Sequence, residues 1–240
     1  MPTPPTEFLV PDVAVEYILL QRTALQRYPR LLRALSIPYR PCVSFFDSRL
    51  RRRSIKAGFV RSIVEDFETL KPFLPTRARA ILDIGCGVAG IDVLLHRHYA
   101  VDSGGPQFYL VDKSEVAAKI YYGLEPKAAF YNSLDAAQQL LAANGVPPWK
   151  VRALWSRDDG LIDVASGAVD LVVSLLSWGH HYPVETYLDA VWAALATGGA
   201  LILDVRNGTG GEDALRRRFG HIEALAVDSK KTRFRCVKGS

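Results

Sequence analysis

Long apolar runs are missing from this sequence: nowhere do the roughly 20 consecutive apolar residues that a membrane-crossing helix needs stand together. The opening residues MPTPPTEF lack the basic-then-apolar order of a secretory leader, so a cytoplasmic location and no membrane partner are expected. Cysteine is scarce. Cys42, Cys86 and Cys236 are scattered without CxxC or CxH spacing and odd in number, which argues against a disulfide framework, so reduced thiols and no zinc are expected. Repetitive or strongly polar tracts are absent, and charged residues make up only 23% of the chain, which leaves little room for disorder beyond the first half-dozen residues. What is there is apolar enough, at 49% of 240 residues, to bury a sizeable core.

The charge balance is basic, with 30 Lys and Arg against 25 Asp and Glu. Arg49, Arg51, Arg52, Arg53 and Lys56 crowd into eight residues. Such a strip fits phosphate backbones, but it falls on an amphipathic helix whose solvated face commonly carries charge, and no RNA-binding aromatic motif accompanies it.

The first 75 residues read as helices. One opens near Asp12 as N-cap, carries Val13, Tyr17, Leu20 and Ala24 on its apolar stripe and ends by Pro29. A second, from about Ser48 to Leu70, places Ile55, Phe59, Ile63 and Phe67 four residues apart, with Pro72 and Pro75 as stops. From Arg79 onward short apolar runs alternate with helical patterns, the rhythm of βαβ units and a parallel sheet. The runs are Ala80–Ile84, Phe108–Val111, Val151–Trp155, Asp170–Leu175 and Ala200–Val205. A helix over Glu212–Phe219 follows, and then IEALAV and TRFRCV flank the polar turn DSKK, a hairpin signal. The expected architecture is an α/β, doubly wound, Rossmann-like sheet of seven strands, mostly parallel with an antiparallel C-terminal hairpin. Residues 1–75 form a helical cap and residues 76–240 the main domain.

The stretch ILDIGCGVAG carries the most chemistry. Asp83 ends a strand, and Gly85, Gly87 and Gly90 follow at G-x-G-x-x-G spacing before a helix. The first glycine permits the turn, the second lets a ligand approach the backbone, and the third allows the helix to pack on the strand. Asp112 ends the next strand, 22 residues beyond Gly90, where an acid can accept hydrogen bonds from ribose hydroxyls. Asp83 would repel the pyrophosphate of a dinucleotide, so the loop suits a nucleoside ligand that carries positive charge.

These motifs resemble those of the class I S-adenosylmethionine-dependent methyltransferases, from about Ala80 to the C-terminus. ILDIGCGVAG is similar to the first family motif and FYLVD to the second. VDLVVSLLSWGHHY resembles the fourth strand with its loop, and ALATGGALILDV the fifth strand. The resemblance implies S-adenosylmethionine as cofactor, held by Asp83, Gly85, Cys86, Gly87, Asp112, Lys113, Ser174 and Leu175. The family's acid near the adenine falls on Asp158, with Asp159 as alternative. His181, which matches a histidine of this loop in the family, and His180 are candidate general bases, or they bond loop backbone. Trp178, Tyr182 and Asn207 are candidate substrate contacts.

Two departures refine the expectation. Neither Asp-Pro-Pro-Tyr nor Asn-Pro-Pro-Tyr follows the fourth strand, where Ser174, Leu175, Leu176 and Ser177 stand, which disfavours methylation of adenine and glutamine amino groups. About 20 residues, 113–132, are inserted after Asp112, with a short helix capped by Ser114 and stopped at Gly123. They emerge at the ligand edge of the sheet and are expected to shape the substrate pocket. The expected function is methyl transfer to a hydroxyl of a small molecule, such as a sugar or secondary metabolite, without a metal, since Asp204 and Asn207 form no convincing ligand set. A nucleic-acid methyltransferase using Arg49 to Lys56, an NAD-linked oxidoreductase and a non-catalytic cofactor-binding scaffold are the alternatives.

Overall fold

Strand β1 (Ala80–Ile84) is buried along its whole length, as a central strand covered on both faces must be. The computed structural model describes residues 7–26, 47–114 and 132–239. Beside β1 run β2 (Gln107–Asp112) and then β3 (Val151–Trp155), all parallel. On its other side lie β4 (Val169–Ser174) and β6 (Leu195–Arg206), also parallel. Between them in the chain, β5 (Ser177–Tyr182) is a short extended segment against β6. The C-terminal hairpin, β7 (Ile222–Val227) and β8 (Lys231–Val237), closes the sheet antiparallel, in the order β3-β2-β1-β4-β6-β8-β7. The expected five parallel strands and the hairpin are thus all present. The order reverses between β1 and β4, and the carboxyl ends of these strands form the ligand edge of an open α/β sheet.

Two apolar layers hold the sheet. On one face lie α1 (Ala14–Gln21), α2 (Arg52–Leu70), α3 (Gly90–Ser103) and α4 (Leu134–Ala143). On the other lie α5 (Glu185–Ala194) and α6 (Gly211–Phe219). The α2 stripe of Ile55, Phe59, Ile63 and Phe67 is buried as its spacing predicts. It packs closely over Gly90: a side-chain carbon there would stand 2.5 Å from Phe59 and 3.0 Å from Ile63. The third glycine of the loop therefore admits α2.

Helix α1 departs from the sequence reading in phase and length. It buries Ala14, Val15, Ile18, Leu19 and Leu20, whereas Val13 is 43% exposed and Ala24 faces outward. Apolar residues occupy several phases of AVEYILL, so spacing alone could not choose the face; packing against both α2 and α4 does. Asp12 is not the N-cap, for its carboxylate pairs with Arg52 and Lys56. The helix stops at Gln21, where Arg22 leaves helical geometry, and Pro29 lies outside the described residues, as do Cys42 and the connector around it.

The expected short helix after Ser114, with its stop at Gly123, also falls outside the described residues. The Ser114 hydroxyl accepts a hydrogen bond from Leu134 N at 3.0 Å, and Ser133 accepts one from Ala136 N at 3.3 Å, so both serines serve the first turn of α4. The two ends of the insertion are thereby brought together. Among the described residues no helix is long and apolar enough to cross a membrane.

Candidate active site

The glycine loop turns sharply out of β1. Gly85 and Gly87 both take left-handed backbone, φ 72° and 55°, and Gly85 N donates to Val111 O at 2.7 Å, tying the turn to β2. A side chain on Gly85 would collide with the Ser177 hydroxyl, so glycine is required on steric and conformational grounds together. Gly87 N donates to Asp112 Oδ2 at 2.9 Å, and Lys113 N to Asp112 Oδ1 at 2.7 Å. The acid at the end of β2 is thus fixed against the loop at the end of β1.

Three carboxylates converge here. Asp83 and Asp112 are buried, as is Asp92, which stands in the first turn of α3 against Asp83. Neither Asp92 oxygen has a well-formed hydrogen bond. Burial, and then the charges of Asp92 and Asp112, push the Asp83 carboxyl well above the ordinary carboxylate range. Burial raises Asp92 to about 7, and raises Asp112 to about 6 despite the opposing hydrogen bonds from Gly87, Lys113 and Asn132. Such a cluster repels anions and is relieved by a cation. Cys86 shares the pocket, where burial and the three acids keep its thiol protonated and unreactive.

Asp92 was not legible as a site residue. An acid in a first helical turn ordinarily complements the helix dipole on the surface. Only the tertiary packing of α3 turns this one inward.

Beside the acids, the ends of β2 and β3 border an open cleft of about 360 Å³ lined by Lys113, Trp155, Ser156, Arg157, Asp158 and Asp159. Lys113 Nζ donates to Asp158 Oδ1 at 2.6 Å across it. Asp159 is engaged by Arg157 and by Leu161 N, which hold its carboxyl down at about 2. Of the two alternatives for the acid at this cleft, Asp158 is the more exposed.

The segment after β4 reaches the same edge. The Ser174 hydroxyl donates to Ile84 O at 2.7 Å and accepts from Trp178 N at 3.1 Å, so it braces β1 against β5. Leu175 is half-buried and packs on the α1–α4 face. Leu176 is left-handed, φ 57°, and its N–H donates to Asp204 Oδ2 at 3.2 Å. The Ser177 hydroxyl lies 3.5 Å from the Tyr182 hydroxyl, which brings buried Tyr182 to the glycine loop. His180 and His181 follow in extended backbone, their rings perpendicular with centroids 5.0 Å apart. Burial, with the charges of His181 and Arg206, lowers His180 to about 4, so it is neutral and weakly basic at neutral pH. His181 is the more exposed of the pair.

Two residues expected as substrate contacts are engaged within the chain. Trp178 is fully buried; its indole N–H donates to Val184 O at 2.8 Å and its ring meets Tyr187 edge-on. Asn207 spends its amide on the C-terminal hairpin, donating to Asp228 O at 2.9 Å and accepting from Thr232 Oγ1 at 3.0 Å. Asp204 is likewise consumed, by ion pairs to Lys231 and Arg233. In the basic strip, Arg51 pairs with Asp47, and Arg52 and Lys56 with Asp12. Among the described residues no three His, Cys, Asp or Glu side chains gather as metal ligands.

No family model matches the chain. No curated protein matches it either. Solved structures do. It is similar to geranyl diphosphate C-methyltransferase from Streptomyces coelicolor, 11% identical over 73% of this chain and 76% of that one, with a TM-score of 0.53. A candidate O-methyltransferase of Nostoc punctiforme is 14% identical over 94% and 72%, at 0.52. The 16S rRNA N2 G1207 methyltransferase of Thermus thermophilus is 21% identical, at 0.49, and the match covers 72% of this chain and 41% of that protein. The chain has the fold of the class I S-adenosylmethionine-dependent methyltransferases.

Proposed function

We propose that the chain transfers a methyl group from S-adenosylmethionine to a hydroxyl of a small molecule. The observation that carries this reading is the convergence of buried Asp83, Asp92 and Asp112 on the Gly85–Gly87 loop. A cofactor with an ammonium and a sulfonium relieves that crowding of negative charge, whereas a dinucleotide pyrophosphate would aggravate it. The cradle also fits in shape, since glycine leaves residue 87 without a side chain, so that only the Gln21 amide stands over its backbone.

Asp112 is the acceptor for the ribose hydroxyls, Asp83 and Asp92 face the cationic end, and Lys113 and Asp158 border the cleft suited to the adenine. When bound, S-adenosylmethionine supplies a methyl carbon already activated by positively charged sulfur. The protein's task is then to align the acceptor and exclude water. His181 takes the hydroxyl proton in this scheme, a role an imidazole side chain can fill. His180, held near 4, is the poorer base. The pairing of Arg51, Arg52 and Lys56 with acids of the chain itself supports a small acceptor over a nucleic acid.

The test is a calorimetric titration with S-adenosylmethionine and with NAD, followed by tritiated-methyl transfer to pooled hydroxylated metabolites and to total RNA. Binding of the first ligand alone, with label appearing in the metabolite pool, is expected. NAD binding overturns the cofactor assignment, and label in RNA overturns the acceptor class.

A further inference from the structure

Helix α1 brings a polar side chain to the glycine loop. Gln21, the last residue of α1, holds its amide over Gly87: a side-chain carbon built on that glycine would lie 2.7 Å from Gln21 Oε1 and 3.1 Å from its Cδ. The amide nitrogen donates to Asn132 Oδ1 at 3.1 Å, and buried Asn132 stands beside the Asp112 carboxylate. The Gln21 amide therefore stands on the open face of the glycine, beside the acid at the end of β2.

Its backbone is held there. Arg22 donates to Asp66 Oδ2 of α2 at 3.2 and 3.3 Å, and the neighbouring Ile18, Leu19 and Leu20 are buried among the helices of the cap face. A long, unbranched side chain on a fixed helix end can adjust its amide without moving the helix. Any ligand that approaches Gly87 from this side meets this amide, a group with both donor and acceptor atoms.

We infer that Gln21 is a cofactor-binding residue, contributed by the N-terminal cap and hydrogen-bonding the polar groups of the adenosyl ligand over Gly87. This rests on the methyltransferase reading above. It makes the cap a part of the cofactor site as well as a cover for the acceptor.

The experiment titrates the full-length chain and its Gln21→Ala variant with S-adenosylhomocysteine by calorimetry. A parallel measurement follows hydrogen–deuterium exchange of residues 14–21 in the wild type, which does not depend on how the variant folds. Loss of one ligand hydrogen bond predicts an affinity about tenfold weaker in the variant. The α1 amides of the wild type gain protection when the ligand saturates. Equal or tighter binding by the variant overturns the inference, since Gln21 then only covers the glycine, and so does α1 exchange that the ligand leaves unchanged. Failure of the wild type to bind overturns both this assignment and the methyltransferase reading.

Discussion

Arg233 Nε donates to Asp204 Oδ1 at 2.6 Å, both side chains almost wholly buried. This ion pair is the centre of a chain of charges through the molecule. Asp204 also receives Lys231 Nζ at 2.6 Å and Leu176 N at 3.2 Å, and Arg233 continues to Asp66 Oδ1 at 3.1 Å and Thr69 Oγ1 at 2.5 Å. Asp66 then meets Arg22. The left-handed turn after β4 and the end of α1, which flank the glycine loop, are thus held by one network running through β6, β8 and α2.

Asp204→Asn should remove the charge while keeping the size, leaving buried Arg233 with Asp66 as its remaining carboxylate partner among the described residues. Breaking a buried pair in this way costs about 3–5 kcal/mol, read as a lower urea midpoint. Burial alone would raise the Asp204 carboxyl, but Arg233 and Lys231 outweigh it and hold the group below the ordinary value of 3.8. Its stabilisation is therefore complete above pH 3.8 and lost as pH falls through the lower folded value. Acid unfolding should begin at higher pH in the variant, where the network lacks this charge.

The three acids at the glycine loop act with the opposite sign. Because Asp92 is raised from 3.8 to about 7, the protonated form favours the ligand-free fold, and that contribution is lost as pH rises across this interval. Stability without ligand should fall between pH 5 and 7, at about the same pH where affinity for S-adenosylmethionine rises. Asp92→Asn should flatten both profiles. Denaturation and calorimetry at several pH values test this, and pH-independent affinity in the wild type would exclude it.

Trp178→Phe should leave methyl transfer intact. The ring remains apolar, but the bond to Val184 O is lost in the core, a cost of about 1–2 kcal/mol. An altered acceptor KM with unchanged stability would return Trp178 to the substrate pocket.

His181→Ala should lower turnover about tenfold or more while sparing cofactor affinity, the signature of a lost general base. Conserved turnover would leave alignment alone as the protein's contribution.

Much of the fold could be read from local pattern. The β1 run AILDI, the glycine loop and Asp112 announce themselves, since strand period, turn sterics and the acid after the second strand are short-range properties. Helix α2 was equally plain, with a single apolar stripe. Helix α1 was not, because its apolar residues occupy several phases and only its neighbours α2 and α4 select among them.

The site divides in the same way. Residue order alone determined the sheet, the glycine loop with Asp83 and Asp112, and the cationic character of the ligand they suit, all consequences of backbone geometry and charge within a few residues. Tertiary structure alone decided that Asp92 joins the acids, that Trp178 is buried and Asn207 bonds the C-terminal hairpin, and that Gln21 of α1 reaches Gly87. Those outcomes depend on which face of an element its distant neighbours cover, and no local spacing encodes that choice.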